Sequence, residues 1–544
     1  MKKGLIFLAS LGWSLLSLSQ SVNLTSSNLP IIVINTQGVE IPDDPKIPAD
    51  MGIIYNGPGL VNHMSDPFNH YNGKIGIEIR GKSSQSFPMK SYSVELQDAT
   101  GNDIEQALLG MPKEADWVLY APYTDKTLMR NFLAYTISRE MGNYASRCRY
   151  VEVVLNGDYR GVYILEEKIK RGSGRLPITK MGNADNSGDA VTGGYIFKID
   201  KKDPDEQSWI SYFKPTENPD RQIEFIYEYP KSENVTNAQK IYLQSYVDSF
   251  ERALNGANYQ DPDLGYRKYA DVASFIDFFI VNEVSRNVDG YRLSSYFHKD
   301  RDSKGGKLKA GPVWDFDLGF RNADYCSGAA VDGWSFRFNT ICRDDYWLVP
   351  FWWDRLMTDS SFSSSLRCRW KNLRAGSLNE QRLFFLIDSV NALLGEANVR
   401  HFQRWPILGQ YIWPNPSPIP TTYAGEITTL KQWLGQRLAW IDQNIPNTGS
   451  CFDWPSNKPG TIEVQVYPNP FKNPPSIKVT AKEDQVLQTE VFDLYGRKVF
   501  NAQLNVLKGF NFLPVPLDRY PSGLYILRIR NGAGESATFK LMRQ

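Results

Sequence analysis

The chain has 544 residues, with 61 Lys and Arg against 60 Asp and Glu, and 13% of its side chains are aromatic. That length exceeds one ordinary domain, so roughly two to four folded units are expected. The balanced charge supplies no field that would draw the protein to nucleic acid or to an anionic membrane. The aromatic content argues for large buried cores and against extended disorder.

Residues 1–20 read as a secretory signal peptide. Lys2 and Lys3 give the positive end, Leu5 to Leu18 the apolar stretch, and Ser17-Leu18-Ser19-Gln20-Ser21 a small polar run for cleavage. The stretch is short and interrupted, and no later segment reaches about 18 uncharged apolar residues, so the mature chain is expected to hold no stable membrane span. No Cys lies near the cut, which argues against a lipid anchor. Export permits disulfides. Among Cys148, Cys326, Cys342, Cys368 and Cys451, the pair Cys326 and Cys342 flanks a loop rich in Gly, Asp and Arg and is expected to bond first. The odd count leaves at least one thiol free.

Residues 22 to about 230 are rich in strand signals. Leu29 to Ile34 is a short β-type run, and Lys74–Arg80 and Ser91–Leu96 alternate apolar with polar positions. The polar segment Gly81 to Lys90 joins those two. Thr124 to Gly142 reads as a helix capped by Thr124 or Asp125. Tyr150–Leu155 and Gly161–Glu167 flank Asn156-Gly157-Asp158, a hairpin signal, and Gly193–Ile199 is a further strand. From about 235 to 445 the pattern is mainly helical. Ala238–Leu254 is one helix, Val272–Val284 is apolar nearly all round, and Ile427, Leu430, Leu434, Leu438 and Ile441 step by three and four. Ser295–His298 and Lys309–Val313 suggest a hairpin between them. Residues 446–461 form a Pro/Gly/Ser/Asn-rich linker, and 462–544 alternate in short strands as a small β-sandwich would.

Phosphoryl transfer from ATP needs a cation on the phosphates, carboxylates for Mg²⁺ and a carboxylate near the attacking hydroxyl. Asp289, the β-type piece Ser295–His298, then Asp315 and Asp317 supply the acidic part of that set. On a strand, Asp315 and Asp317 would share one face and approach one metal. The four histidines show no helical metal spacing. Nucleophile-elbow, Walker-type and dinucleotide motifs are absent. Glycosidase-type paired carboxylates remain open without any supporting motif.

Several segments in order carry a family likeness: Arg80-Gly81-Lys82-Ser83-Ser84, Phe87-Pro88-Met89-Lys90-Ser91-Tyr92, Asp116-Trp117-Val118-Leu119, Leu128-Met129-Arg130-Asn131, Gly161 to Lys168, Asn282-Glu283 with Asp289, and Trp314-Asp315-Phe316-Asp317. On these residues the chain resembles the CotH family of atypical protein kinases. The resemblance implies an α+β, two-lobed kinase-like domain over 22–445, with a strand-rich lobe to about 230 and a helical lobe from about 235. It implies ATP and Mg²⁺ (or Mn²⁺) as cofactors, with an exported protein as acceptor. Lys90 would hold nucleotide phosphates, and Glu167, with Glu166 as rival, would position that lysine or a metal. Arg80 and the Ser83-Ser84 amides would lie over the phosphates. Asp289 would sit by the acceptor hydroxyl, and Asp315 would bind the metal, with Asp317 or solvent completing its shell. Ser294 stands where the family often has Asn, a better metal ligand, which bears on turnover.

Val466-Tyr467-Pro468-Asn469-Pro470-Phe471, Asp493-Leu494-Tyr495-Gly496-Arg497 and Ser522-Gly523-Leu524-Tyr525-Ile526-Leu527 resemble the C-terminal sorting domain of type IX secretion cargo. The likeness implies an immunoglobulin-like sandwich over 462–544, the secretion machinery as partner, and a secreted or surface-attached protein of a Gram-negative cell. Plainer readings stand beside each site residue. Asp315 and Asp317 fit a Ca²⁺ loop or a helix cap, Lys90 a surface lysine, and Glu167 a salt-bridge partner. Arg80 and Asp289 fit turn residues. Two other functions fit the same chain: a non-catalytic surface scaffold, and a protein associated with extracellular polysaccharide.

Overall fold

The computed structural model describes residues 22–446 and, in the C-terminal region, 462–467, 471, 476–481, 484–493, 497–507, 509–515, 517, 520–532 and 536–543. The signal peptide, the linker beyond 446, Cys451 and the motif residues 468–470 and 494–496 lie outside the described residues. Two compact units result, Met1–Phe452 and Asp453–Gln544.

The first unit begins with a closed seven-stranded barrel. Ile31–Asn35, Ile47–Ile54, Tyr71–Arg80, Ser91–Gln97 and Asp116–Tyr120 follow one another round it; Asp158–Glu167 and Cys148–Leu155 complete the circuit. Closure comes from a parallel pairing of Cys148–Leu155 with Ile31–Asn35, and the other pairings are antiparallel. Alternation sends Ile75 and Ile77, then Tyr92, Val94 and Leu96, into the buried interior. Asn156 and Gly157 take left-handed backbone, φ 51° and 80°, the conformation that a two-residue hairpin turn requires.

The predicted helix over 124–142 starts later, at Arg130, and runs to Glu140. The preceding residues form a turn tied down by Asp125, whose carboxylate accepts from Thr127 N (3.0 Å) and Arg130 N (2.8 Å). A five-stranded antiparallel sheet spans the expected change of character near residue 230. Tyr195–Ile199 lies between Glu224–Tyr229 and Ser295–Lys299, with Ser208–Ile210 and Lys309–Ala310 at the edges.

Asn237–Asn255 opens with a capping box between Thr236 and Gln239. Val272–Ser285 is buried from Phe275 to its end, as its uniformly apolar sequence demands. Its last turn carries Glu283, which is ion-paired with Arg437 of helix Tyr423–Asn444 at 3.0 Å; both side chains are almost wholly buried. The Glu283 carboxylate also accepts from Tyr291 Oη (2.9 Å), Ser335 N (2.8 Å) and Phe336 N (2.9 Å). Arg437 donates in addition to the carbonyls of Glu283, Val331 and Gly333. Cys326 and Cys342 form a disulfide, while Cys148 is a free, buried thiol. No helix among the described residues is long and apolar enough to cross a membrane.

The second unit is all β. One sheet orders Ile462–Tyr467, Ser476–Ala481 and Gly509–Pro514; the other orders Lys498–Val506, Gln485–Phe492, Gly523–Asn531 and Ser536–Arg543. Ile477 and Val479 of the first share a buried cluster with Leu487, Val491, Leu527 and Leu541 of the second.

Arg437→Met would strand the Glu283 carboxylate without its counter-charge. We expect a loss of about 3–5 kcal/mol in urea unfolding followed by tryptophan fluorescence, a signal mainly from the first unit because the twelve tryptophans from Trp117 to Trp440 lie there against Trp454 in the second.

Candidate functional site

Two loops carry the acidic residues. The first leaves helix Val272–Ser285 through Arg286 in left-handed backbone (φ 46°) and contains Asp289, then Tyr291 (φ 70°) and Ser294 (φ 46°) before strand Ser295–Lys299. The second follows the short strand Lys309–Ala310 and contains Trp314 to Asp317. Asp315 and Asp317 thus lie beyond the strand and not on it. Asp315 has φ 60°, so a left-handed turn, and not strand alternation, brings the two carboxylates together. Several non-glycine residues held in left-handed backbone within two short loops mark a segment whose surroundings over-determine its shape.

Neighbouring elements fix the second loop. Tyr135 Oη accepts from Asp315 N at 3.1 Å, and Asn131 Oδ1 accepts from Phe316 N at 2.6 Å, both from helix Arg130–Glu140. Asn287 Nδ2 donates to the Asp315 carbonyl (3.2 Å), which ties the two loops to each other. Asn322 Nδ2 donates to the Asp317 carbonyl (2.8 Å). Trp314 stacks on Tyr135, with the Arg80 guanidinium 5.5 Å above its ring.

The carboxylates converge in a half-buried space. Asp315 and Asp317 act directly on each other, and both are held above the usual carboxylate range, first by burial and then by neighbouring negative charge that includes Asp289. Asp200 joins them. Its carboxyl is raised by burial against the pull of Lys198 and the backbone N–H groups of Lys201 and Ser294, with Asp289 adding to the rise. Glu166 forms another wall and is pushed up to about 8 by burial, opposed by Arg80 and reinforced by Asp315. Beside Asp289 opens a cavity of about 130 Å³ bordered by Asp200, Arg292 and Trp347.

The structure therefore brings together Asp289, Asp315, Asp317 and Arg80. It does not bring Lys90 or Glu167 to them. The Lys90 ammonium donates to the Gln85 carbonyl at 2.5 Å, inside its own loop. Glu167 is fully buried on the opposite face of its strand, where it pairs with Arg147 and lies 3.6 Å from Arg175. Its neighbour Glu166 points to the site, since successive strand residues face opposite ways. Asp200 carried no signal of its own in the sequence. Only the register Ile199↔Ser295 sets it beside Ser294, whose hydroxyl donates to Asp200 Oδ2 at 3.4 Å.

Among the described residues, no group of three or more His, Cys, Asp or Glu side chains is arranged to hold a metal. The Asp315–Asp317 pair nevertheless fits Mg²⁺, which keeps several waters and takes one or two carboxylates together with substrate phosphates. A divalent cation would offset the negative charge that the pair gathers. Arg80 offers a buried Nη1 with no hydrogen-bond partner, a donor suited to an anion.

Comparison with known families gives two matches. The CotH kinase protein family matches residues 77–441, more than half of the chain, and the secretion system C-terminal sorting domain matches residues 465–544. The chain belongs to the CotH kinase protein family. Its tail is a type IX sorting domain, which marks a protein secreted or attached to the outer surface of a Gram-negative cell, with the secretion machinery as partner. No curated protein matches it.

Glu166 supplies a pH test. Its folded-state value, about 8, exceeds the ordinary 4.5, so the native state retains a proton that the unfolded chain releases between those values. Stability should fall as pH rises from 4.5 towards 8. Glu166→Gln should flatten that fall in metal-free thermal melts.

Proposed function

We propose that this protein is a secreted, Mg²⁺-dependent kinase that transfers the ATP γ-phosphate to Ser or Thr of an exported protein. The convergence of Asp289, Asp315 and Asp317 in one half-buried space, faced by the unpartnered Arg80 donor, supports this reading most. Barrel and helices would serve as the two lobes of a kinase-like unit, with the carboxylates at their junction.

In this reading Asp315 and Asp317 hold the metal, and Asp200 stands behind them with the Ser294 hydroxyl turned towards it. Bound Mg²⁺ would neutralise charge on the phosphates during transfer. Arg80 binds phosphate oxygens from the barrel side, stacked on Trp314 so that its guanidinium keeps one orientation. Asp289 accepts the proton of the acceptor hydroxyl. Lys90 would reach the phosphates only after release from the Gln85 carbonyl, so Arg80 is the nearer cation.

The test is incubation of the purified protein with γ-labelled ATP, Mg²⁺ or Mn²⁺, and secreted proteins as acceptors. Asp289→Asn should lower transfer by roughly 100-fold or more with nucleotide affinity unchanged, and Asp315→Ala should remove the response to metal. Full transfer by both variants would refute the assignment. Nucleotide binding without transfer by the unaltered protein would mark a surface binding protein on this fold.

A further inference from the structure

Arg292 is a buried guanidinium, its side chain 3% exposed, in the loop that carries Asp289. Its Nη2 donates to Asp289 Oδ1 at 2.8 Å, and its Nε to the Val288 carbonyl at 2.7 Å. Nη1 donates to Asp345 Oδ1 and to the Trp347 carbonyl, each at 3.2 Å. The ring of Phe338 lies 3.9 Å from the guanidinium carbon. Every nitrogen of the planar fork is engaged, which favours one orientation of the group.

Those anchors come from a segment that is itself tied down. Asp345 N donates to the carbonyl of Cys342, the disulfide partner of Cys326, and Asp345 Oδ1 accepts from Trp347 N at 2.9 Å. Arg221, which lines the same cavity as Arg292, donates through Nε to the Asp345 carbonyl. One side of Asp289 is thus gripped through Oδ1, and its side chain keeps 21% exposure.

We propose that Arg292 is the positioning residue for Asp289: it holds Oδ1 and leaves Oδ2 facing the acceptor hydroxyl. This inference rests on the transfer activity proposed above. A single-atom grip matters because proton acceptance depends on the direction of one lone pair, and a displacement of about 1 Å can cost roughly 100-fold in rate. Lysine at this position keeps the charge but cannot span Asp289, Val288 O and Asp345 together.

The experiment compares the unaltered protein with Arg292→Lys and Asp345→Asn, by steady-state transfer and by crystal structures. Arg292→Lys should lower kcat by about 10- to 100-fold, with acceptor KM and nucleotide Kd unchanged and the Asp289 carboxylate turned in the crystal. Asp345→Asn, which keeps the accepting oxygen and removes only the charge that Arg292 Nη1 meets there, should shift kcat in the same direction by less, and it carries the test if Arg292→Lys does not fold. Unchanged kcat in the folded variants would overturn the inference, as would lost transfer with Asp289 unmoved. Absence of transfer by the unaltered protein would refute the kinase reading alone. The crystal comparison would then decide, a turned Asp289 supporting the grip by Arg292 and an unmoved one overturning it.

Discussion

The charge pair between Glu283 and Arg437 is the constraint on which the rest of the first unit hangs. It joins the last turn of one buried helix to another helix and to the segment 331–336. Tyr291, in the same loop as Asp289, donates to the same carboxylate. A buried ion pair adds little net stability over apolar packing, but it tolerates very few alternative arrangements once formed. The position of Asp289 relative to the helix therefore follows from a charge placed where water cannot reach it.

The site gathers negative charge that a fold would ordinarily keep apart. Asp200, Asp289, Asp315, Asp317 and Glu166 crowd one region, and several are driven towards the protonated form by burial and by each other. Arg80, Arg292 and Lys198 offset part of that repulsion; Lys198 is itself shared with Glu206 and Glu228 at 2.7 and 3.1 Å. Left-handed backbone at Arg286, Tyr291, Ser294 and Asp315 adds local strain. Stability given up in this manner is typical of a place where a ligand, and not the protein, completes the balance.

Much of this was legible in the residues. Alternation located two of the barrel strands, Tyr71–Arg80 and Ser91–Gln97, but left Ile47–Ile54 and Asp116–Tyr120 unmarked; Asn156-Gly157 located the hairpin, and the apolar run from Val272 located the buried helix. The motif residues Asp289, Asp315 and Asp317 do share one space, and the Cys326–Cys342 bond forms as their spacing suggested. Barrel closure was not legible, because a parallel pairing between Ile31–Asn35 and Cys148–Leu155 leaves no local mark. Nor could the choice between Glu166 and Glu167 be read: it depends on the register Val118↔Glu166, and a shift of one residue exchanges the faces. Nor does the sequence mark that Lys90 donates to Gln85, since a flexible side chain takes the carbonyl that its own loop presents.

The free cysteine has a bearing on the protein's life outside the cell. Cys148 is buried in the barrel, and its thiol is pushed well above the ordinary value by burial, with Glu166 adding to the rise. Exchange and oxidation proceed through the thiolate, and they require that an oxidant or a second sulfur can reach it. Sheltered and protonated, this sulfur is inert. An unpaired cysteine can thus travel through an oxidising envelope without scrambling its neighbours or cross-linking one molecule to the next.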